Sequence, residues 1–286
     1  MLPFAMLLAG CPVPFVGEVP KGGKKYMIDP ATGNAFWMYI PKKYDHDKPA
    51  PIIVSCHGTP PYDVAEHHIR TWEWYGEKYG CIIICPDLQG TDGIFGAGPI
   101  GGMLNNERII LSIISSLCYR YNIDRNNIMI TGFSGGGFPA YWVGLRHPDI
   151  FSVIVPQNCN FNRSSIEGWY PPQAKEMSVM IYYGEVDPPT IVIQSQQGIE
   201  YLKSHGFKVV QKVIPGGHER HPEVAMDFFR KTMRKRPPNG TLATIKMKKV
   251  KKKPSGRTQA RPRYRPPSKA STPDNSATSN DRPPAP

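Results

Sequence analysis

Long apolar runs are missing from this chain. No stretch of eighteen or more apolar residues lies inside its 286 residues, which excludes a long internal membrane-spanning helix. Metal-ligand spacing is missing too. The six cysteines, Cys11, Cys56, Cys81, Cys85, Cys118 and Cys159, form no C-x-x-C pair and no Cys/His cluster with zinc spacing. Cys81 and Cys85 sit four apart on a predicted strand, about 13 Å at strand rise, too far to bridge each other. Cys56 and Cys85 are expected on neighbouring strands, and buried free thiols are the plain reading. No internal repeat is visible, so a solenoid is not indicated.

The first four-fifths of the chain also lacks net charge. Met1–Arg230 carry 19 Lys and Arg against 21 Asp and Glu, whereas Lys231–Pro286 carry 16 against 2. The overall +12 therefore belongs to the C-terminal segment. There Lys, Arg, Pro, Ser and Thr dominate and large apolar residues nearly vanish, so residues 236–286 are predicted to be a disordered basic tail. The basic runs at 246–253 and 257–265 suit a membrane surface or an anionic polymer, or a solvated spacer. Tyr264 is the lone aromatic among them, which argues against base stacking and sequence-specific nucleic-acid binding.

What is present begins with Leu8-Ala9-Gly10-Cys11, a short apolar run closing on small residues and a cysteine. These four residues resemble the lipobox of bacterial lipoproteins. The resemblance implies a signal segment over 1–11, a lipid on Cys11 and a place in the cell envelope, secreted or membrane-anchored. No Lys or Arg precedes the run, a departure that leaves an ordinary hydrophobic arm and a cytoplasmic protein as the alternative. Residues 12–34 read as a lead-in linker and 35–235 as one domain.

Within that domain short apolar runs alternate with helical patterns. Strands are predicted at 36–40, 51–55, 81–85, 127–131, 151–155, 178–183 and 208–214. Helices are predicted at 64–79, 105–121, 136–147, 191–204 and 222–233. Residues 90–102 read as a glycine-rich loop and 157–175 as irregular. The inner strands are apolar throughout, as strands buried on both faces of a parallel sheet are.

Gly132-Phe133-Ser134-Gly135-Gly136 falls directly after one such strand and directly before a helix. G-x-S-x-G at a strand–turn–helix junction lifts a serine hydroxyl clear of the sheet, and the flanking glycines admit the tight turn. A serine nucleophile needs a base, and the base needs an orienting carboxylate. Asp187 follows an apolar strand at its carboxyl end, with Glu185 as the fallback acid. His218 follows Gly216-Gly217 after the last strand. His221 is its near rival, and His57 a remoter one that precedes the serine. Oxyanion donors are expected from the backbone of Gly135 and from Gly58 or Thr59 in the turn after an early strand.

Together His57-Gly58, Pro86-Asp87, the Ser134 pentapeptide, Gly184-x-x-Asp187 and Gly217-His218 resemble an α/β-hydrolase. The set is similar to the esterase branch that includes polyhydroxybutyrate depolymerases, feruloyl and acetylxylan esterases, and to prolyl oligopeptidase catalytic domains. The resemblance runs from about Ala35 to Met233. It implies a mostly parallel sheet with helices on both faces, and hydrolysis of a small-molecule or polymeric carboxylic ester through an acyl-enzyme on Ser134. It implies neither a metal nor an organic cofactor. The alternatives are a serine peptidase and a non-catalytic binding protein on the same fold. The loop at 90–102 and the segment 158–173, with Trp169 and Tyr170, are expected to shape the pocket. The third glycine, Gly137, followed by Phe138-Pro139, departs from the pattern, although proline is tolerated in a first helical turn.

Overall fold

A computed structural model describes residues 22–89 and 100–234. Cys11 and the rest of the lipobox-like segment lie outside those residues, as do residues 90–99 of the glycine-rich stretch and the basic tail. Among the described residues, no helix is long and apolar enough to cross a membrane.

Eight strands form one sheet: β1 (Gly23–Ile28), β2 (Ala35–Ile40), β3 (Ala50–Cys56), β4 (Ile82–Pro86), β5 (Ile123–Ser134), β6 (Val153–Cys159), β7 (Ser178–Gly184) and β8 (Val209–Ile214). The order across the sheet is β1-β2-β4-β3-β5-β6-β7-β8. β1 pairs with β2 and β2 with β4 in antiparallel register. From β4 onward every pairing is parallel. This is the α/β-hydrolase fold that the motifs imply.

Among the described residues, five helices connect the strands, α1 (Ala65–Tyr79), α2 (Ile100–Arg120), α3 (Gly137–Arg146), the short α4 (Arg163–Ile166) and α5 (Pro189–Ser204), and α6 (Pro222–Thr232) follows β8. Alternation along the strands sorts the core into two layers. On β3, Ile52, Val54 and Cys56 face the side covered by α2, α3 and α5, while Ile53 faces the side of α1 and α6. On β4, Ile82 and Ile84 divide from Ile83 and Cys85 in the same way. Both faces are apolar because both are covered. α1 buries Ala65, His68, Ile69, Trp72 and Gly76 against the sheet, at helical spacing, and ends on Gly80 in the left-handed conformation.

Three elements differ from the sequence reading. β1 occupies the stretch read as a lead-in. α2 starts at Ile100, inside the stretch read as a loop. The segment read as irregular holds the end of β6, α4 and a 3-10 turn at Pro172–Glu176. The cysteines agree with the plain reading. Cys56, Cys81, Cys85 and Cys159 are buried and free, and Cys118 is partly buried and free. Burial pushes the thiols of Cys81 and Cys159 up to about 12.

One buried carboxylate joins two helices on the α2 side. Glu107 accepts from Trp142 Nε1 at 2.7 Å, Arg146 Nε at 3.1 Å and His147 Nε2 at 2.6 Å. Burial alone would raise the Glu107 carboxyl, but the hydrogen bonds from His147, Trp142 and Arg146 outweigh it and hold it below its ordinary value. A depressed carboxyl stabilises the fold above the ordinary glutamate range, and that stabilisation fades as pH falls through the lowered value. Glu107→Gln is therefore expected to lose about 3 kcal/mol at neutral pH. Urea unfolding should show the gap to the parent protein narrowing below about pH 4. A gap that stays constant with pH would contradict this account.

Candidate active site

The junction of β5 and α3 places the serine. Ser134 has φ 52°, a left-handed conformation that costs a side-chain-bearing residue about 1–3 kcal/mol. The turn is closed by a hydrogen bond from Gly136 N to Phe133 O at 2.8 Å and by one from Asn160 N to Ser134 O at 3.0 Å. Its glycines are set by contact. A Cβ on Gly132 would lie 2.0 Å from Gly136 O, and a Cβ on Gly136 would lie 2.2 Å from Cys56 O. Any larger residue would push β5, α3 and β3 apart. α3 begins at Gly137, so its N-terminal backbone amides lie next to Ser134, where developing negative charge is favoured. Gly137 is itself a close approach, because a Cβ there would lie 2.4 Å from Asn160 O.

Two further loops leave the carboxyl edge of the sheet beside it. Asp187 follows β7, is buried, and its Oδ1 lies 2.7 Å from His218 Nδ1. A carboxylate only accepts, so Nδ1 carries the proton and Nε2 is left as the proton acceptor. The other oxygen, Oδ2, accepts from Gly184 N at 2.9 Å and from Asn158 Nδ2 at 2.6 Å. The same amide donates to Gly217 O at 3.0 Å. The loop carrying His218 presses on β7: a Cβ on Gly184 would lie 2.5 Å from both Gly216 O and Gly217 O. The rivals fall away. Glu185 is exposed to solvent. His221 lies at the start of α6 with Nδ1 2.8 Å from Glu223 Oε1.

The third loop is the turn after β3. His57 is buried and both ring nitrogens are engaged. Nε2 accepts from Leu88 N at 2.9 Å, so Nδ1 donates to Gly58 O at 2.9 Å. Burial holds this imidazole below its ordinary value despite those partners, and with both nitrogens engaged in backbone hydrogen bonds neither faces Ser134 as a free proton acceptor. The N–H of Gly58, one of the two expected donors, donates to Asp63 Oδ2 at 2.7 Å. Of the two residues considered for the second donor, Thr59 is the one that lines the cavity with the serine.

That cavity, of about 600 Å³, is walled by Thr59, Tyr62, Phe133, Ser134, His218 and Arg220, among others. The Phe133 ring lies against the His218 imidazole, centroids 4.6 Å apart. Tyr62 is exposed at the rim. Trp169 and Tyr170 serve elsewhere: Trp169 packs on Trp142 and Tyr170 on Phe207.

Asn158 and Asp63 are the site residues that sequence reasoning missed. Asn158 has φ 45° and is fully buried. A signal existed, since Gln157-Asn158-Cys159-Asn160 is a polar run at the carboxyl end of an apolar strand, where parallel sheets place their ligands.

No family model matches the sequence. Among curated proteins it is similar to dipeptidyl-peptidase 5 of Porphyromonas gingivalis, at 28% identity over 148 residues, or 49% of this chain and 21% of that one. The chain thus spans about a fifth of that relative's length. Among solved structures it is similar to the fluorophosphonate-binding serine hydrolase F of Staphylococcus aureus, with TM-score 0.58 and 15% identity over 76% of this chain and 100% of that one. It is also similar to a ferulic acid esterase from Anaeromyces mucronatus, solved with ferulic acid bound, with TM-score 0.56 and 16% identity over 76% and 91% of the two chains. At such identities the structural likeness establishes the α/β-hydrolase fold.

The elbow's contacts have a thermodynamic consequence. Gly136→Ala should destabilise the protein by about 3 kcal/mol or more, because a methyl group meets backbone oxygen. Gly33→Ala, at φ +71° with nothing within 4 Å, should cost about 1–2 kcal/mol from its dihedral alone. Equal losses in denaturant unfolding would mean that close contact does not fix the turn.

Proposed function

We propose that this chain is a serine hydrolase that cleaves carboxylic esters through an acyl-enzyme on Ser134. The observation that carries the reading is the shared cavity. A strained elbow serine and an imidazole whose Nδ1 is held 2.7 Å from a buried carboxylate line the same space.

On this reading each residue has a role. Nε2 of His218 takes the hydroxyl proton as Ser134 Oγ attacks the carbonyl carbon. Asp187 keeps the other ring proton in place and stabilises the imidazolium that forms. Negative charge developing on the carbonyl oxygen falls to the backbone of Gly135 at the start of α3 and to Thr59. Collapse of the intermediate breaks the bond to the alcohol, which leaves with the proton from His218. Water then gives its proton to the same nitrogen and attacks the acyl group. The acid leaves, and Ser134 regains its hydrogen. Each step is proton transfer or acyl transfer among this chain's own residues and water.

The names of similar proteins support hydrolysis of this kind and divide over the bond cleaved. A ferulic acid esterase speaks for an ester. The similarity to a dipeptidyl-peptidase over half the chain supports a second reading, a serine peptidase using the same three residues. A p-nitrophenyl ester and the p-nitroanilide of one aminoacyl group separate the two. The ester reading expects turnover of the ester with little of the anilide, whereas the peptidase reading expects substantial turnover of the anilide as well, since the same acyl-enzyme forms readily from an activated ester.

Ser134→Ala should lose at least about 1000-fold in kcat on whichever substrate the parent turns over. Parent-like turnover by that variant would overturn the assignment. Asn158→Ala removes a hydrogen bond to the Asp187 carboxylate and another to the base loop, so kcat should fall about 10- to 100-fold. Thermal unfolding run alongside checks that the fold is kept. An unchanged kcat would show that Asp187 is held well enough without it.

A further inference from the structure

The turn after β3 and the loop carrying His218 are more than 150 residues apart in sequence, and one carboxylate touches both. Asp63 lies between β3 and α1, and its side chain is 7% exposed. Oδ2 accepts from Gly58 N at 2.7 Å and lies 2.8 Å from His68 Nε2. Oδ1 accepts from Arg220 Nη1 at 2.7 Å and lies 3.6 Å from His67 Nδ1. Arg220 stands two residues past His218, and its guanidinium lies 5.6 Å from the Phe133 ring centroid. Phe133 in turn packs on His218 and precedes Ser134.

The carboxylate is anchored from below. His68 is fully buried and its Nδ1 lies 2.7 Å from Ser55 Oγ on β3. Burial is the largest influence on this imidazole and holds it below its ordinary value. In the neutral ring, Nε2–H donates to Asp63 and Nδ1 accepts the Ser55 hydroxyl. Ser55, His68 and Asp63 repeat the residue types of a catalytic triad. Ser55, however, has no exposed surface, so no substrate reaches it and the chain serves as a support. Burial works against ionisation of Asp63, but the hydrogen bond from His68, the Gly58 N–H and the Arg220 charge outweigh it and hold the carboxyl far below its ordinary range.

We propose that Asp63 is a positioning residue, a strut that fixes the separation between the oxyanion turn and the base loop around Ser134. The contacts close into a ring. From Ser134 it runs through Phe133 to His218, along the chain to Arg220, across to Asp63 and on to Gly58. Gly58 packs so tightly on the serine that an added Cβ would lie 3.1 Å from Ser134 Cβ. Opening the ring at the Asp63–Arg220 contact frees the loop that holds the base. Opening it at Asp63–Gly58 frees the turn that faces the oxyanion. Neither Asp63 nor Arg220 exchanges a proton with substrate. They act through His218 and through the backbone near Thr59. The catalytic consequence rests on the hydrolase reading above, whereas the mechanical one does not.

Two measurements on the full chain test it. The first is kcat and KM on a p-nitrophenyl ester for Asp63→Asn, Arg220→Gln, Arg220→Lys and the double variant Asp63→Asn/Arg220→Gln, with thermal unfolding of each. Both single changes to an amide should lower kcat about 10- to 100-fold, the scale of a small misplacement, with KM within about twofold. Arg220→Lys should recover part of the loss, since an ammonium also reaches a carboxylate. The double variant should be no slower than the worse single one, because the strut breaks once. Arg220 is partly exposed, so Arg220→Gln carries the test if Asp63→Asn does not fold.

The second measurement is amide hydrogen exchange, which needs no turnover. Arg220→Gln should quicken exchange at residues 57–59, which Arg220 does not touch, as well as at 216–221. Single variants within about threefold of the parent in kcat, or multiplied losses in the double variant, would overturn the catalytic role. Exchange at 57–59 unchanged by Arg220→Gln would overturn the strut itself. A parent protein with no ester turnover would count against the hydrolase reading instead, and the exchange result would still decide the strut.

Discussion

The left-handed backbone at Ser134 is the constraint on which the rest of the site depends. An L-residue with a side chain avoids that conformation, and it survives only where the surroundings over-determine it. Here β5, the start of α3 and the end of β3 do so. Their approach is so close that residues two before and two after the serine have no room for a Cβ. The strain has a geometric return. The hydroxyl stands off the sheet at the start of a helix, beside a cavity, and not within the β5–β6 ladder.

The parallel sheet supplies the other parts by the same rule. β3, β5, β6 and β7 run in one direction, so the loops that follow them gather along one edge. Gly58 and Thr59 come from the loop after β3, Ser134 from the last residue of β5, Asn158 from the end of β6 and Asp187 from the loop after β7. His218 follows β8, the last strand in the order. Each loop is then tied by hydrogen bonds from buried polar groups. Asn158 binds Asp187 to the base loop, and Asp63 binds the oxyanion turn to the same loop from the opposite side. The loop carrying His218 is thus held by hydrogen bonds at both Gly217 and Arg220. A buried polar group without partners is costly, and here the Asn158 amide nitrogen and both Asp63 oxygens spend their hydrogen bonds on loop position.

Sequence patterns made the frame legible where a residue's meaning is local. The Ser134 pentapeptide declares itself because the steric reason for its glycines lies within five residues and the adjoining strand. The Ile-rich runs of β3 and β4 are read to within one residue at each end because both faces are buried. β1 was opaque for the opposite reason. Gly23–Ile28 is an edge strand with alternate residues exposed and two lysines among six, so its apolar signal is halved. Asn158 and Asp63 were opaque because their partners lie between 5 and 157 residues away. An aspartate before a helix carries no local mark of such a role, and the polar run around Asn158 marks a strand end without naming its partners. Gly58 shows the limit from the other side: its place in the turn was legible, but the partner that takes its N–H was not.

The most direct measurement of the central claim is covalent. The folded protein, incubated with a fluorophosphonate near neutral pH, is digested and its modified residue located by mass spectrometry. An activated elbow serine is expected to give one adduct, on Ser134, that disappears when the protein is unfolded before the probe is added. Absence of any adduct on the folded protein, or an adduct on a different serine, would contradict the account.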